Sequence, residues 1–166
     1  MKKSFVNKRF QKLLAENEAN RKICTNSIKT IGIISSDEIT KWIDVKADVD
    51  KVFDSATSEI FSFRSHSRKN EPSKIHFSEK SFGWKAQVKD SNFNKFLEQP
   101  FDLLIGYFNK PSLYTELAVL QSKATFKAGI SKVNQLLYDI EIKEYPKNTE
   151  RFLLELKRYL EILKKI

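Results

Sequence analysis

The 166-residue sequence predicts an α/β domain built on a mainly parallel sheet, with helices on both of its faces and one extra basic helix in front. Three observations carry this expectation. Short apolar runs alternate with longer segments whose apolar residues recur at helical spacing, the order that puts a crossover helix between parallel strands. Two of the runs, KTIGII (29–34) and FDLLIGYF (101–108), are apolar almost throughout, as strands covered on both faces are. Basic charge is gathered ahead of this alternation. The first 22 residues hold seven Lys/Arg against two acids, a net +5 of the chain's +9.

Taken in order, residues 2–20 form a helix with an apolar stripe of Val6, Phe10, Leu13 and Leu14 and Phe5 beside it. KTIGII is the first strand. Ser35-Ser36-Asp37-Glu38 then supplies capping side chains and first-turn acids for a helix over about 37–54. Ile39, Trp42, Ile43, Val45, Val49, Val52 and Phe53 stand near helical spacing there, which puts Trp42 in the core. EIFSFRS (58–64) alternates and is a second strand. Residues 65–73, polar and containing Pro72, form a loop, and KIHFS (74–78) is a short strand. SFGWKAQVK (81–89) is irregular and offers Trp84 to a contact surface. Asp90-Ser91-Asn92 caps a short helix to Glu98 that Pro100 stops. FDLLIGYF follows as the strongest strand. Pro111 then sits in the first turn of a helix to Ser122, with Leu113, Leu117 and Leu120 facing inward. ATFKAGI (124–130) and LLYDIEI (136–142) are strands. Asn148 or Thr149 caps a last helix with a stripe of Phe152, Leu156, Tyr159, Leu160 and Leu163. The chain divides into a basic amphipathic helix, 1–24, and a single α/β domain, 25–166.

KTIGII, IHFSEKSFGWK, PFDLLIGYFNKPSLYTELAVLQSKATFKAGIS and LLYDIEI resemble a family of small proteins of unknown function found mainly in Bacteroidota. The similarity spans nearly the whole chain, the basic helix included, and is densest at FDLLI (101–105) and SKATFKAG (122–129). The resemblance implies a Rossmann-like fold and brings no catalytic residue with it. Ribosomes of that phylum carry lineage-specific proteins, and a basic extension on a compact domain would suit such a role by analogy.

Composition narrows the chemistry. With 40% hydrophobic and 31% charged residues the chain is globular rather than disordered. Cys24 is the sole cysteine, which excludes an intrachain disulfide and a cysteine-based metal site and fits a cytoplasmic location. No apolar run reaches the roughly 20 residues of a membrane-spanning helix. Asn7, Lys8, Arg9, Gln11 and Lys12 interrupt the apolar core that a signal peptide needs. Neither GxGxxG nor GxxxxGK[ST] occurs. The turns at Gly32–Asp37 and Gly106–Asn109 read as strand-to-helix capping, and Asp37 and Glu38 would repel a phosphate. His66 and His76 lack HxH or HExxH spacing, and no GxSxG elbow accompanies them. The expectation is a protein without catalytic residues, cofactor or metal.

The basic residues carry the functional expectation. Lys2, Lys3, Lys8, Arg9, Lys12, Arg21 and Lys22 lie on the N-terminal segment, and Arg64, Arg68, Lys69 and Lys74 in or beside the longest loop. Clustered Lys/Arg neutralise phosphates without reading bases, and basic tails and loops fit among RNA helices. Lys157, Arg158, Lys164 and Lys165 have a simpler role, complementing a helix C-terminus. The first expectation is an RNA-binding, ribosome-associated protein that contacts rRNA phosphates. The alternative is a protein-interaction or membrane-surface adaptor that buries Val6, Phe10, Leu13 and Leu14 in a partner or lipid headgroups. A nucleotide-binding enzyme at the carboxyl ends of the strands is the third.

Overall fold

The computed structural model describes residues 2–21, 26–131 and 133–166, so Lys22 and Cys24 lie outside the described residues. Helix α1 (Lys2–Ala19) precedes β1 (Thr30–Ser36), α2 (Asp37–Thr40), α3 (Val45–Val52), β2 (Thr57–Phe63) and β3 (His76–Phe77). Then come α4 (Ser91–Glu98), β4 (Leu103–Tyr107), α5 (Leu113–Gln121), β5 (Lys127–Ile130), β6 (Ile140–Ile142) and α6 (Thr149–Ile162). The six strands form one all-parallel sheet in the order β3-β2-β1-β4-β5-β6. This is the Rossmann-like order, in which the chain leaves β1 toward one edge and returns to build the other half outward from β4.

Register follows from the apolar runs. Ile33 of β1 stands between Ile60 of β2 and Ile105 of β4, so alternate residues of the central strands feed two separate cores. One core joins Ile31, Ile33, Leu103 and Ile105 to Val45 and Val49 of α3 and Phe152, Leu153, Leu156 and Leu160 of α6. The other joins Ile34 and Leu104 to Phe93, Phe96 and Leu97 of α4 and Leu117 of α5. It is rich in aromatic rings, with Phe77 and Phe93 stacked at 4.3 Å between centroids and Phe61 on Phe96 at 4.9 Å. Gly106 and Gly129 let the Tyr138 ring lie flat across β4 and β5, where any Cβ would overlap it.

Helix α1 is seated on this second core. Val6, Phe10 and Leu14 are buried in it, and the helix packs across α5 and the 135–137 turn. Burying three such side chains contributes on the order of 5 kcal/mol before ordering costs. Asn17 donates to the Leu136 carbonyl at 2.9 Å and Arg21 to the same oxygen at 3.0 Å. The stripe that the sequence offered to a partner is therefore occupied by the chain's own core.

Several local expectations change. The helix expected over 37–54 is two helices. Asp44 accepts a hydrogen bond from the Ala47 backbone amide and so caps a fresh start at Val45, while α2 ends after one turn. The break turns Trp42 away from the core, and it is 86% exposed. Ser36 makes no side-chain cap on α2. The last two strands are shorter than their apolar runs, because 135–137 form a single 3-10 turn and β6 begins at Ile140. Tyr159 and Leu163 of the expected last stripe are 38% and 48% exposed rather than buried. Among the described residues no helix is long and apolar enough to cross a membrane.

Candidate functional site

In a sheet wound in two directions, the connections leaving adjacent central strands cross to opposite faces and open a crevice at the strands' carboxyl ends. Here β1 leads to α2 and α3 on one face, and β4 leads to α5 on the other. Between them lies a crevice of about 450 Å³ lined by Ser36, Asp37, Lys41, Arg64, Lys110 and Ser112, among others. Ser35 donates to the Tyr107 carbonyl at 2.7 Å and ties the ends of the two strands beneath it.

The crevice does not form a phosphate cradle. Its two acids are already matched: Asp37 by His76 at 2.8 Å and Lys41 at 3.9 Å, and Glu38 by Lys110 at 2.9 Å. His76 lies between two groups. Nε2 lies 2.8 Å from Asp37 Oδ1, and Nδ1 lies 2.6 Å from Ser73 Oγ, which also accepts the Ile75 amide. The series Ser73–His76–Asp37 has the residue types of a nucleophilic triad. The serine oxygen, however, is engaged by an amide of its own turn, and the imidazole spans from that turn to the start of α2. The arrangement is a staple for the two-residue edge strand β3. His66 is separate and accepts from Lys80 at 2.8 Å through Nε2. Among the described residues, no three His, Cys, Asp or Glu side chains are grouped to hold a metal ion.

The basic residues sort into three situations. Lys3, Lys8, Arg9 and Lys12 are exposed on α1, with Lys12 3.8 Å from Glu16. Arg68, Lys69 and Lys74 are exposed on the loop after β2, and Arg64 braces that loop by donating to the Glu71 carbonyl at 2.8 Å. These two groups meet. Lys2 donates to the Glu79 carbonyl at 3.2 Å, the Glu79 carboxylate accepts the His66 amide at 3.1 Å, and Lys80 donates to the His66 ring. The first turn of α1 thus abuts the basic loop at the carboxyl edge of the sheet, and Lys80, which the sequence reading passed over, joins them. Arg21 lies apart. At the far end of an 18-residue helix, about 27 Å away, it is held by Asp139 at 3.6 Å and by the Leu136 carbonyl. Its contacts are those of an anchor for α1.

Four polar groups escaped the sequence reading: Lys127 near that far end, Glu116 in the first turn of α5, and Tyr138 and Glu141 under the second half of the sheet. Lys127 is buried and donates to the Val119 carbonyl at 2.6 Å. Burial pushes its ammonium pKa down to about 8, against the opposing pull of Asp139. Burial raises the Glu116 carboxyl, which the Ser112 and Asn134 amides partly offset, and raises the Tyr138 hydroxyl well above its ordinary range. The Tyr138 hydroxyl and Glu141 Oε1 are buried without a hydrogen-bond partner among the described residues. An even spread of single Lys, Glu and Tyr residues along apolar runs was the only trace of this in the sequence.

A second cavity adjoins the crevice. It measures about 980 Å³ and is lined by Trp42, Ile43, Asn109, Lys110, Tyr145 and Lys147, among others. Lys110 and Glu38, paired at 2.9 Å, line both spaces, so the two lie side by side along the carboxyl edge.

Fold and site together define a Rossmann-like α/β protein whose carboxyl edge is open, basic and partly aromatic. The chain belongs to a family of unknown function, DUF6913, whose model matches residues 2–163. No curated protein and no solved structure matches it.

Proposed function

We propose that this chain is a non-enzymatic, cytoplasmic RNA-binding protein, associated with the ribosome or another ribonucleoprotein, that grips phosphates with α1 and the loop after β2. The supporting observation is the Lys2–Glu79–His66–Lys80 series, which brings the first turn of α1, with Lys3, beside the loop that carries Arg68, Lys69 and Lys74. Lysine and arginine heads held together in this way release counterions from a polyanion, and each phosphate contact adds a salt-dependent increment of affinity. The taxonomic expectation, a family of Bacteroidota with lineage-specific ribosomal proteins, belongs with this reading. The adaptor reading would require α1 to leave its own core, since Val6, Phe10 and Leu14 are buried there. That cost favours RNA.

The test is sedimentation of the tagged protein from native cells through sucrose gradients at low and high salt. The expected result is co-migration with ribosomal particles at low salt and release as salt rises. A profile confined to the top fractions at both salts would sink the reading. Charge reversal of Arg68, Lys69 and Lys74 together is expected to shift the protein toward the top at low salt while leaving its melting temperature unchanged.

A further inference from the structure

Trp42 and Tyr145 are the two most exposed large hydrophobic side chains among the described residues, at 86% and 70%, and they line the same cavity. An isolated exposed aromatic calls for no explanation, but two that share a concave, mostly apolar space of about 980 Å³ do. They come from segments about 100 residues apart, Trp42 from the break after α2 and Tyr145 from the approach to α6. The other exposed tryptophan, Trp84, has a ring neighbour in Phe5 at 6.3 Å. Among the described residues no such aromatic pairing involves Trp42.

The charge around the cavity selects its occupant. Lys110 and Lys147 are exposed on its rim, and its one acid, Glu38, is held by Lys110. The adjoining crevice adds Lys41 and Arg64, so that across the two spaces Lys41, Arg64, Lys110 and Lys147 stand against two acids, Asp37 and Glu38, each already paired with one of them, and the excess charge is positive. Exposed aromatic rings beside an excess of cations suit single-stranded nucleic acid. Bases stack on the rings while the backbone follows the charges. A duplex, with its bases already stacked on each other, has nothing to offer the rings.

We propose that the Trp42–Tyr145 cavity receives an unpaired base of single-stranded RNA, with Lys110 and Lys147 on the flanking phosphates and the strand running along the carboxyl edge toward Arg64. The proposal rests on the RNA reading above and adds to it the strandedness of the ligand and the point where a base is held. Base stacking is sequence-tolerant, so the site selects unpaired nucleotides rather than a sequence.

The test uses the Trp84→Phe protein, which leaves Trp42 as the only tryptophan, titrated with a 12-nucleotide oligoadenylate and with a blunt RNA duplex. Binding is followed in parallel by anisotropy of labelled RNA. The expected result is quenching of Trp42 fluorescence by the single strand at the concentrations where anisotropy rises, and little quenching by the duplex. Trp42→Ala and Tyr145→Leu should each weaken single-strand binding about tenfold and leave duplex binding unchanged, since one stacked base is worth about 1–3 kcal/mol. Binding of the single strand without quenching of Trp42 would overturn this proposal and leave the RNA reading standing. So would equal loss of duplex and single-strand affinity in Trp42→Ala. Failure of both RNAs to bind at low salt would overturn the two together.

Discussion

The two ends of the sheet treat their polar groups in opposite ways. At the amino end, single carboxylates gather several backbone donors. Asp102 Oδ2 accepts the Lys29 amide at 2.9 Å, the Thr30 amide at 3.0 Å and the Thr30 hydroxyl at 3.1 Å. Asp139 accepts the Lys127 amide at 2.8 Å while holding Arg21, and the Lys127 ammonium closes the last turn of α5 through the Val119 carbonyl. At the carboxyl end, by contrast, the larger crevices open, cations project into solvent, and two aromatic rings are exposed, while the amino end has a smaller cavity of about 270 Å³ beside Arg21 and Asp139. The same fold therefore separates polar groups consumed in holding strands together from polar groups left to meet something else. Charge alone did not distinguish them. Arg21 and Arg68 look alike in the sequence and sit at opposite ends.

The sharpest test of the amino end is the titration of Lys127. Its pKa is lowered from 10.5 to about 8 by burial, so the native state holds fewer protons than the unfolded chain between those values. Stability must rise with pH across that window and be fully gained only above the unfolded pKa. Urea unfolding of the native protein and of Lys127→Met, from pH 7 to pH 9.5, should show the native protein gaining about 2 kcal/mol relative to the variant. A constant difference between the two would mean that the ammonium is solvated and that the amino end is open to water.

Asp102→Ala should cost somewhat less, about 1.5 kcal/mol, because it strands the Thr30 amide and hydroxyl at a partly buried position while the Lys29 amide can turn to water. The comparison also requires that this variant keep its RNA affinity, since Asp102 lies at the end away from the basic loop. Chemical denaturation together with RNA anisotropy measures both. A variant of normal stability but weakened binding would break the division between the two ends.

What was legible in the sequence tracks how local the governing contacts are. β1 and β4 are covered on both faces, and that alone makes them continuous apolar runs. α6 announced itself through a 14-residue helical stripe after Asn148. The break between α2 and α3 was hidden because Asp44 fits a solvated helix position as well as an N-cap, and only its bond to the Ala47 amide distinguishes the two. LLYDIEI read as one strand because Tyr138 is apolar by composition, whereas its ring is committed to lying over Gly106 and Gly129. The basic residues were visible individually. Their grouping was not, since it depends on Lys2 reaching Glu79 and on Arg21 reaching Asp139, contacts between segments far apart in the chain. The aromatic cavity was still less visible, because Trp42 fitted a core stripe that the helix break removes.

The smallest expected effect belongs to His76, and it probes how firmly the carboxyl end is built. The imidazole joins Ser73 to Asp37, and both it and its aspartate partner are only modestly exposed, at 20% and 15%. Its strand, β3, has two residues and a single neighbour, so the Ser62 amide on the Ile75 carbonyl, the Arg64 amide on the Phe77 carbonyl and the buried Phe77 ring against Phe93 hold the edge. His76→Ala removes two side-chain bonds at a partly solvated site, a loss of about 1 kcal/mol. Because edge segments open without the rest of the fold, this loss should appear locally. Amide hydrogen exchange is expected to speed up at Ser62 and Arg64 and to stay unchanged at Ile33 and Ile105 in the central strands. If protection fell at all four, the staple would be supporting the whole sheet. The carboxyl end would then be as structurally committed as the amino end, and its cations would lose their claim to be there for a ligand.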